Sequence, residues 1–231
     1  MVGTKMKRLT MVAPLIMVAT LTYGEQAVYI DQVAGDGLTL FISQSGGDNN
    51  SVGKPLDVSP YFIINGNDQN ININQLGSTN SIFGSIYGNS FTLDLDQIGS
   101  ANVVDLQIAN ANSSAYVISL TGSSNTFDVD AGLLSAANGT VSAIVLGSTN
   151  DFMFDINADG ANIDLNLTGD SNTYSLTQSG YGSGLGGHSA KIVSLGSFNT
   201  VTIDQGATLI ANTIDLDLSG SNQTITITQS D

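Results

Sequence analysis

The side chains able to do chemistry in this 231-residue chain are few in kind: 20 acids, five cations, one histidine and no cysteine. Pairs such as Asp94 and Asp96 have the residue type for two-carboxylate hydrolysis. They alternate with Leu93 and Leu95, however, and alternation places them together on the solvated face of a strand rather than across a cleft. His188 stands alone, with no cysteine or second histidine to complete a nucleophile–base pair or a zinc site. The glycine-rich stretch 182–187 lacks the following lysine of a phosphate loop. These residues point away from an enzyme, and no cofactor or metal is expected. The chemistry that remains is that of the primary amide. Asn and Gln carry donor and acceptor on one group, so stacked identical amides can donate to one neighbour and accept from the other.

Those amides recur. Asn80, Asn102, Asn125, Asn150, Asn172, Asn199 and Asn222 are separated by 22, 23, 25, 22, 27 and 23 residues. Six of the seven have a glycine three positions earlier: Gly77, Gly99, Gly122, Gly147, Gly169 and Gly196. The series extends back to Asn49 and then to Gln26. Gln44, Gln75 and Gln97 stand five residues before an asparagine of the series, and Gln178, Gln205 and Gln229 close the strand that follows one. Self-similarity at such a period is the signature of a stacked-repeat fold.

Each period supplies two elements able to position the amides. In 172–178, Asn172, Tyr174, Leu176 and Gln178 share one face, and Thr173, Ser175 and Thr177 the other, a period of two that specifies a strand. A second strand follows a second set of corners at Asn70, Asn89, Asn112, Asn138, Asn162 and Asn212, as in Ile163, Leu165 and Leu167 alternating with Asp164 and Asn166. The expected fold is all-β: a flattened two-sheet β-solenoid of about 23 residues and two strands per coil, with eight to nine coils. Coils stacked at about 4.8 Å place like residues in ladders. Gly and Asn suit the positive φ of tight corners. Loop insertions are expected near 51–60, which holds Pro55 and Pro60, and near 179–188.

Charge sets the context. Lys5, Lys7 and Arg8 precede an apolar run from Leu9 to Leu21, too short to span a bilayer, and residues 1–24 read as a Sec-type signal peptide with 25–231 as the solenoid. Beyond residue 24, two cations face 20 acids. Such a surface repels phosphate backbones, so nucleic acid is not a partner. The chain is expected to be secreted, at the cell surface or beyond it, with no membrane insertion after signal removal.

The segments 44–49, 75–80 and 97–102 each read Q-x-G-x-x-N, and 172–178 and 199–205 read N-x5-Q. This pattern resembles the curlin repeat, the unit of bacterial curli subunits, across essentially the whole chain after residue 24. The resemblance implies extracellular amyloid fibres for adhesion and biofilm matrix, with a nucleator and a secretion apparatus as partners. Leu120, Val145, Leu167 and Ser194 replace the glutamine before the corner, and Ala131 and Ile156 the one after it. Independently of the resemblance, strands at both ends with no cap predict head-to-tail self-stacking, a contact that grows into a filament. The alternative expectation is a discrete β-solenoid adhesin that stays non-fibrillar.

Overall fold

The computed structural model describes residues 16–22, 31–32, 35–46, 50–53, 62–109, 114–137, 139–159, 161–179, 188–206 and 212–230. The described elements are all strands. In chain order they are β1 (Ile16–Thr22), β2 (Asp31–Gln32), β3 (Thr39–Ser45), β4 (Asn50–Val52), β5 (Phe62–Asn65), β6 (Asn70–Leu76), β7 (Thr79–Tyr87), β8 (Thr92–Ile98), β9 (Ala101–Ala109) and β10 (Ala115–Thr121). There follow β11 (Ser124–Ala137), β12 (Thr140–Leu146), β13 (Asp151–Asp159), β14 (Asn162–Thr168), β15 (Thr173–Ser179), β16 (Ser189–Leu195), β17 (Thr200–Gln205), β18 (Thr213–Ser219) and β19 (Thr224–Gln229).

Successive strands fall alternately into two parallel sheets. The first runs β1-β3-β6-β8-β10-β12-β14-β16-β18, and the second β19-β17-β15-β13-β11-β9-β7-β5-β2, with β4 beside β7. This is a two-sheet β-solenoid of about 24 residues per turn. The period-two pattern decides the layering. In β12, Val141, Ala143 and Val145 are buried, whereas Thr140, Ser142, Ile144 and Leu146 are exposed. Leu93, Leu95, Leu165, Val129 and Phe154 fill the slot between the sheets in the same way, each 1 % exposed or less. The mid-stack slot is aromatic: Phe127 and Phe152 stack at 4.5 Å, and Tyr116 meets Phe91 edge-on at 5.4 Å.

Several positions refine the sequence expectation. β4 and β5 both pair with β7, so the expected insertion interrupts one strand between Val52 and Phe62; residues 54–61 lie outside the described residues, as do 180–187 of the second expected loop. β1 lies inside the stretch read as a leader and pairs with β3 from Ile16↔Thr39 to Thr22↔Ser45. An apolar, partly β-branched run suits a strand as well as a leader. The second corners do not form an asparagine column. Register places Gln69, Phe91, Ser114, Gly139, Ala161, His188 and Asn212 together, each one residue before its strand pair. Asn70 and Asn162 instead begin strands and point outward, and Asn112 and Asn138 lie outside the described residues.

Candidate functional site: the amide columns and the edge strands

The main asparagine column is continuous. Register aligns Asn80 with Asn102 and Asn102 with Asn125. Asn150, Asn172 and Asn199 follow one residue before Asp151, Thr173 and Thr200, which pair in turn. All six are 2 % exposed or less. Two members of the expected series change. Asn50, not Asn49, pairs with Asn80, and Asn49 lies outside the described residues. At the far end Thr224 pairs with Thr200, so Gln223 follows Asn199 and Asn222 sits one residue early. The spacing from glycine explains this. Gly220 is three residues before Gln223, as Gly196 is before Asn199.

Two hydrogen-bond modes share the column. In the first half, side chain donates to side chain: Asn50 to Asn80, Asn80 to Asn102 and Asn102 to Asn125, each Nδ2 to Oδ1 at 2.8 Å. Each also donates to a corner carbonyl, as Asn80 does to Ile98 at 3.1 Å. From Asn125 onward the backbone N–H of each member donates to the next Oδ1: Asn125 to Asn150 at 3.1 Å, Asn150 to Asn172 at 2.7 Å, Asn172 to Asn199 at 3.0 Å. The switch follows the corner shape. Thr149, Ser171, Phe198 and Asn222 have φ near +60° (60, 60, 60 and 55°), so the residue before the column, not the column asparagine, takes the left-handed conformation.

Glycine serves contact as much as conformation. A Cβ on Gly99 would stand 2.6 Å from the Gly77 carbonyl oxygen although Gly99 has no positive φ. A Cβ on Gly147 would overlap the Gly122 carbonyl, at φ +144°. Corner backbones therefore touch from coil to coil, and their bonds run along the stack, as in Gly122 N–H to Leu146 O at 2.9 Å.

Glutamine forms two separate columns. In the first sheet Gln97 donates to Gln75 and Gln75 to Gln44, both at 2.6 Å. The same column continues as Leu120, Val145, Leu167, Ser194 and Leu218. Gln97 Oε1, facing Leu120, is buried without a partner. In the second sheet Gln229 donates to Gln205 at 2.8 Å and Gln205 to Gln178 at 2.7 Å. That column holds Ile156, Ala131 and Ile108 on one side of Gln178, and Ile64 pairs with Gln32 in β2. Amides thus occupy the N-terminal rungs β3, β6 and β8 of the first sheet and the C-terminal rungs β15, β17 and β19 of the second.

The remaining polar candidates have structural partners. His188 is buried, donates its backbone N–H to Asn212 Oδ1 at 2.8 Å and accepts from the Ala161 N–H through Nδ1 at 3.4 Å, so it acts as a column residue and not as a surface loop. On the first sheet Asn72 donates to Asp94 at 2.8 Å and Asn74 to Asp96 at 3.4 Å. On the second sheet carboxylates meet each other: Asp105 pairs with Asp128 and Asp130 with Asp155. Partial burial, then Asp130, Asp105, Asp155 and Asp151, raises the Asp128 pKa; partial burial, then Asp155 and Asp105, raises that of Asp130. Among the described residues, no group of three or more His, Cys, Asp and Glu side chains could hold a metal ion.

The edge strands differ from the interior. β18 and β19 carry the same apolar alternation as the coils before them, but Ile225 is 43 % and Ile227 46 % exposed. Ile203, one rung inside Ile227, is fully buried.

Comparison with family models, curated proteins and solved structures finds no match to this chain.

Proposed function

We propose that this chain is a secreted structural subunit that stacks end to end into extracellular, curli-like amyloid fibres serving adhesion and biofilm matrix. One observation carries the reading. β19 offers Ile225 and Ile227 to solvent in the positions that Val201 and Ile203 bury one rung below. Every rung is the template of the next, so a second copy supplies what β18 and β19 lack: apolar cover, and partners for the free edge of each strand. Gln229 gives its Nε2 to Gln205, so the glutamine column runs to the last rung. The acidic surface argues against nucleic acid as a partner. The curlin-like Q-x-G-x-x-N segments support the same reading and bring with them a nucleator and a secretion apparatus.

A second reading, a non-fibrillar adhesin, draws on one face. Leu76 and Ile98 are 48 % and 44 % exposed on adjacent rungs of the first sheet, and Leu146 and Leu195 occupy the same position further along. Negative-stain microscopy and fibre diffraction of the exported chain separate the two. Filaments with a reflection at about 4.7–4.8 Å are expected; stable monodisperse monomers would replace the first reading with the second.

A further inference from the structure

We propose that copies of this chain join by strand exchange, in which β19 of one copy displaces β2 of the next and pairs with its β4 and β5. The inference rests on the polymer reading and on removal of residues 1–24.

Rung counting comes first. β4 and β5 share the partner β7, at Asn50↔Asn80 and Phe62↔Gly84, and so make one rung. Among the described residues the second sheet then has nine rungs from β2 to β19, and the first sheet, without β1, has eight from β3 to β18. Strands of the two sheets alternate along the chain. A seamless stack therefore needs equal numbers, and one second-sheet strand is surplus at each joint.

β2 and β19 are interchangeable in register. Gln32 pairs with Ile64, in the column that ends at Gln229. β19 holds six register pairs with β17, from Thr200↔Thr224 to Gln205↔Gln229. The asparagine column favours the exchange. Asn50 is 1 % exposed, and its Oδ1 has no hydrogen-bond partner. Gln223, which continues the Asn199 column, gives one amide hydrogen to Gly196 O at 3.0 Å. Its second hydrogen would meet Asn50 Oδ1 of the next copy once β19 sits there. In the first sheet β3 would lie on β18. Gln44 tolerates Leu218 there, because Gln44 already donates to Ser51 O at 3.1 Å and accepts from Gln75 at 2.6 Å.

The chain has no cysteine, so paired cysteines report the joint directly. Register partners one rung apart, about 4.8 Å, are within disulfide reach. In exported chain oxidised after assembly, Ile63→Cys with Thr228→Cys is expected to link copies into a covalent ladder, and Asp31→Cys with Thr228→Cys is not. Asp31→Cys with Ile63→Cys locks β2 in place within one copy, and growth should stop until reductant is added. Links through the 31/228 pair, or normal growth of the locked variant, would overturn the exchange while leaving the polymer intact. Absence of filaments from the unmodified chain would instead remove the polymer reading, and the exchange with it.

Discussion

Asn125 donates its backbone N–H to Asn150 Oδ1 at 3.1 Å, whereas Asn102 donates its side-chain amide to Asn125 Oδ1 at 2.8 Å. From Asn125 onward the column adds backbone donation, where the corners acquire a left-handed residue at Thr149, and it keeps one side-chain bond, from Asn172 to Asn199 at 3.2 Å. The first mode needs an amide donor at every step; the second needs only an acceptor in the next coil.

That difference predicts unequal tolerance of Asn→Asp. Asp at position 102 would lose donation to Asn125, to Thr121 O and to Gln97 O. Asp at position 150 would keep the acceptor for Asn125 and lose only the bond to Gly147 O. Urea unfolding at neutral pH should show the Asn102→Asp variant less stable than Asn150→Asp by about 1–3 kcal/mol. Equal losses would contradict the two-mode column.

Gly147→Ala should be costly and Gly139→Ala nearly silent. The first puts a methyl group into the Gly122 carbonyl at a positive φ, and the second meets nothing within 4 Å. Expected losses are about 2 kcal/mol or more for Gly147→Ala and within about 0.5 kcal/mol for Gly139→Ala. Thermal unfolding of both variants provides the comparison.

Gln205→Leu should destabilise by about 1–3 kcal/mol, because it leaves Gln178 Oε1 without its donor and Gln229 Nε2 without its acceptor. Replacing all three glutamines by leucine should cost less than the single change, since the column already runs through Ile156 and Ala131 mid-stack. A triple variant weaker than the single one would show that the amides do more than satisfy each other.

The Asp128 and Asp130 pKa values are raised in the folded state. Folded chain therefore binds protons that unfolded chain releases. The penalty from partial burial and carboxylate repulsion is fully present above the raised values and disappears as pH falls through them, so stability rises on mild acidification. Asp128→Asn with Asp130→Asn should flatten that part of the urea-midpoint profile against pH, and added salt should shrink the slope in the parent chain. A parent slope of opposite sign would exclude the carboxylate pairs as its source.

Ile227→Asp separates folding from assembly. The side chain is 46 % exposed in one copy, so the unfolding free energy should move by less than about 1 kcal/mol. Filament growth should be lost, because the same position becomes interior at a joint. Light scattering and microscopy give the answer; undiminished growth would count against stacking on β19.

Much of this architecture is written in local pattern. Alternation such as Val141, Ala143 and Val145 against Thr140, Ser142 and Ile144 demands a strand with one buried face, and the recurring glycine and amide demand coils of one length. The interruptions at Leu120, Val145, Leu167, Ala131 and Ile156 could be read the same way, since each holds the place of a glutamine. Between adjacent candidates, local pattern is silent. Asn49 and Asn50 are chemically similar and each stands three residues after a glycine, and only the coil on which they stack selects Asn50. The corner shape, the change of bonding mode at Asn125, and the meeting of Asp105 with Asp128 likewise arise between residues more than twenty positions apart. A period of two fixes which way a side chain faces; the neighbour it faces depends on inter-coil register, a property of the stack and not of any one strand.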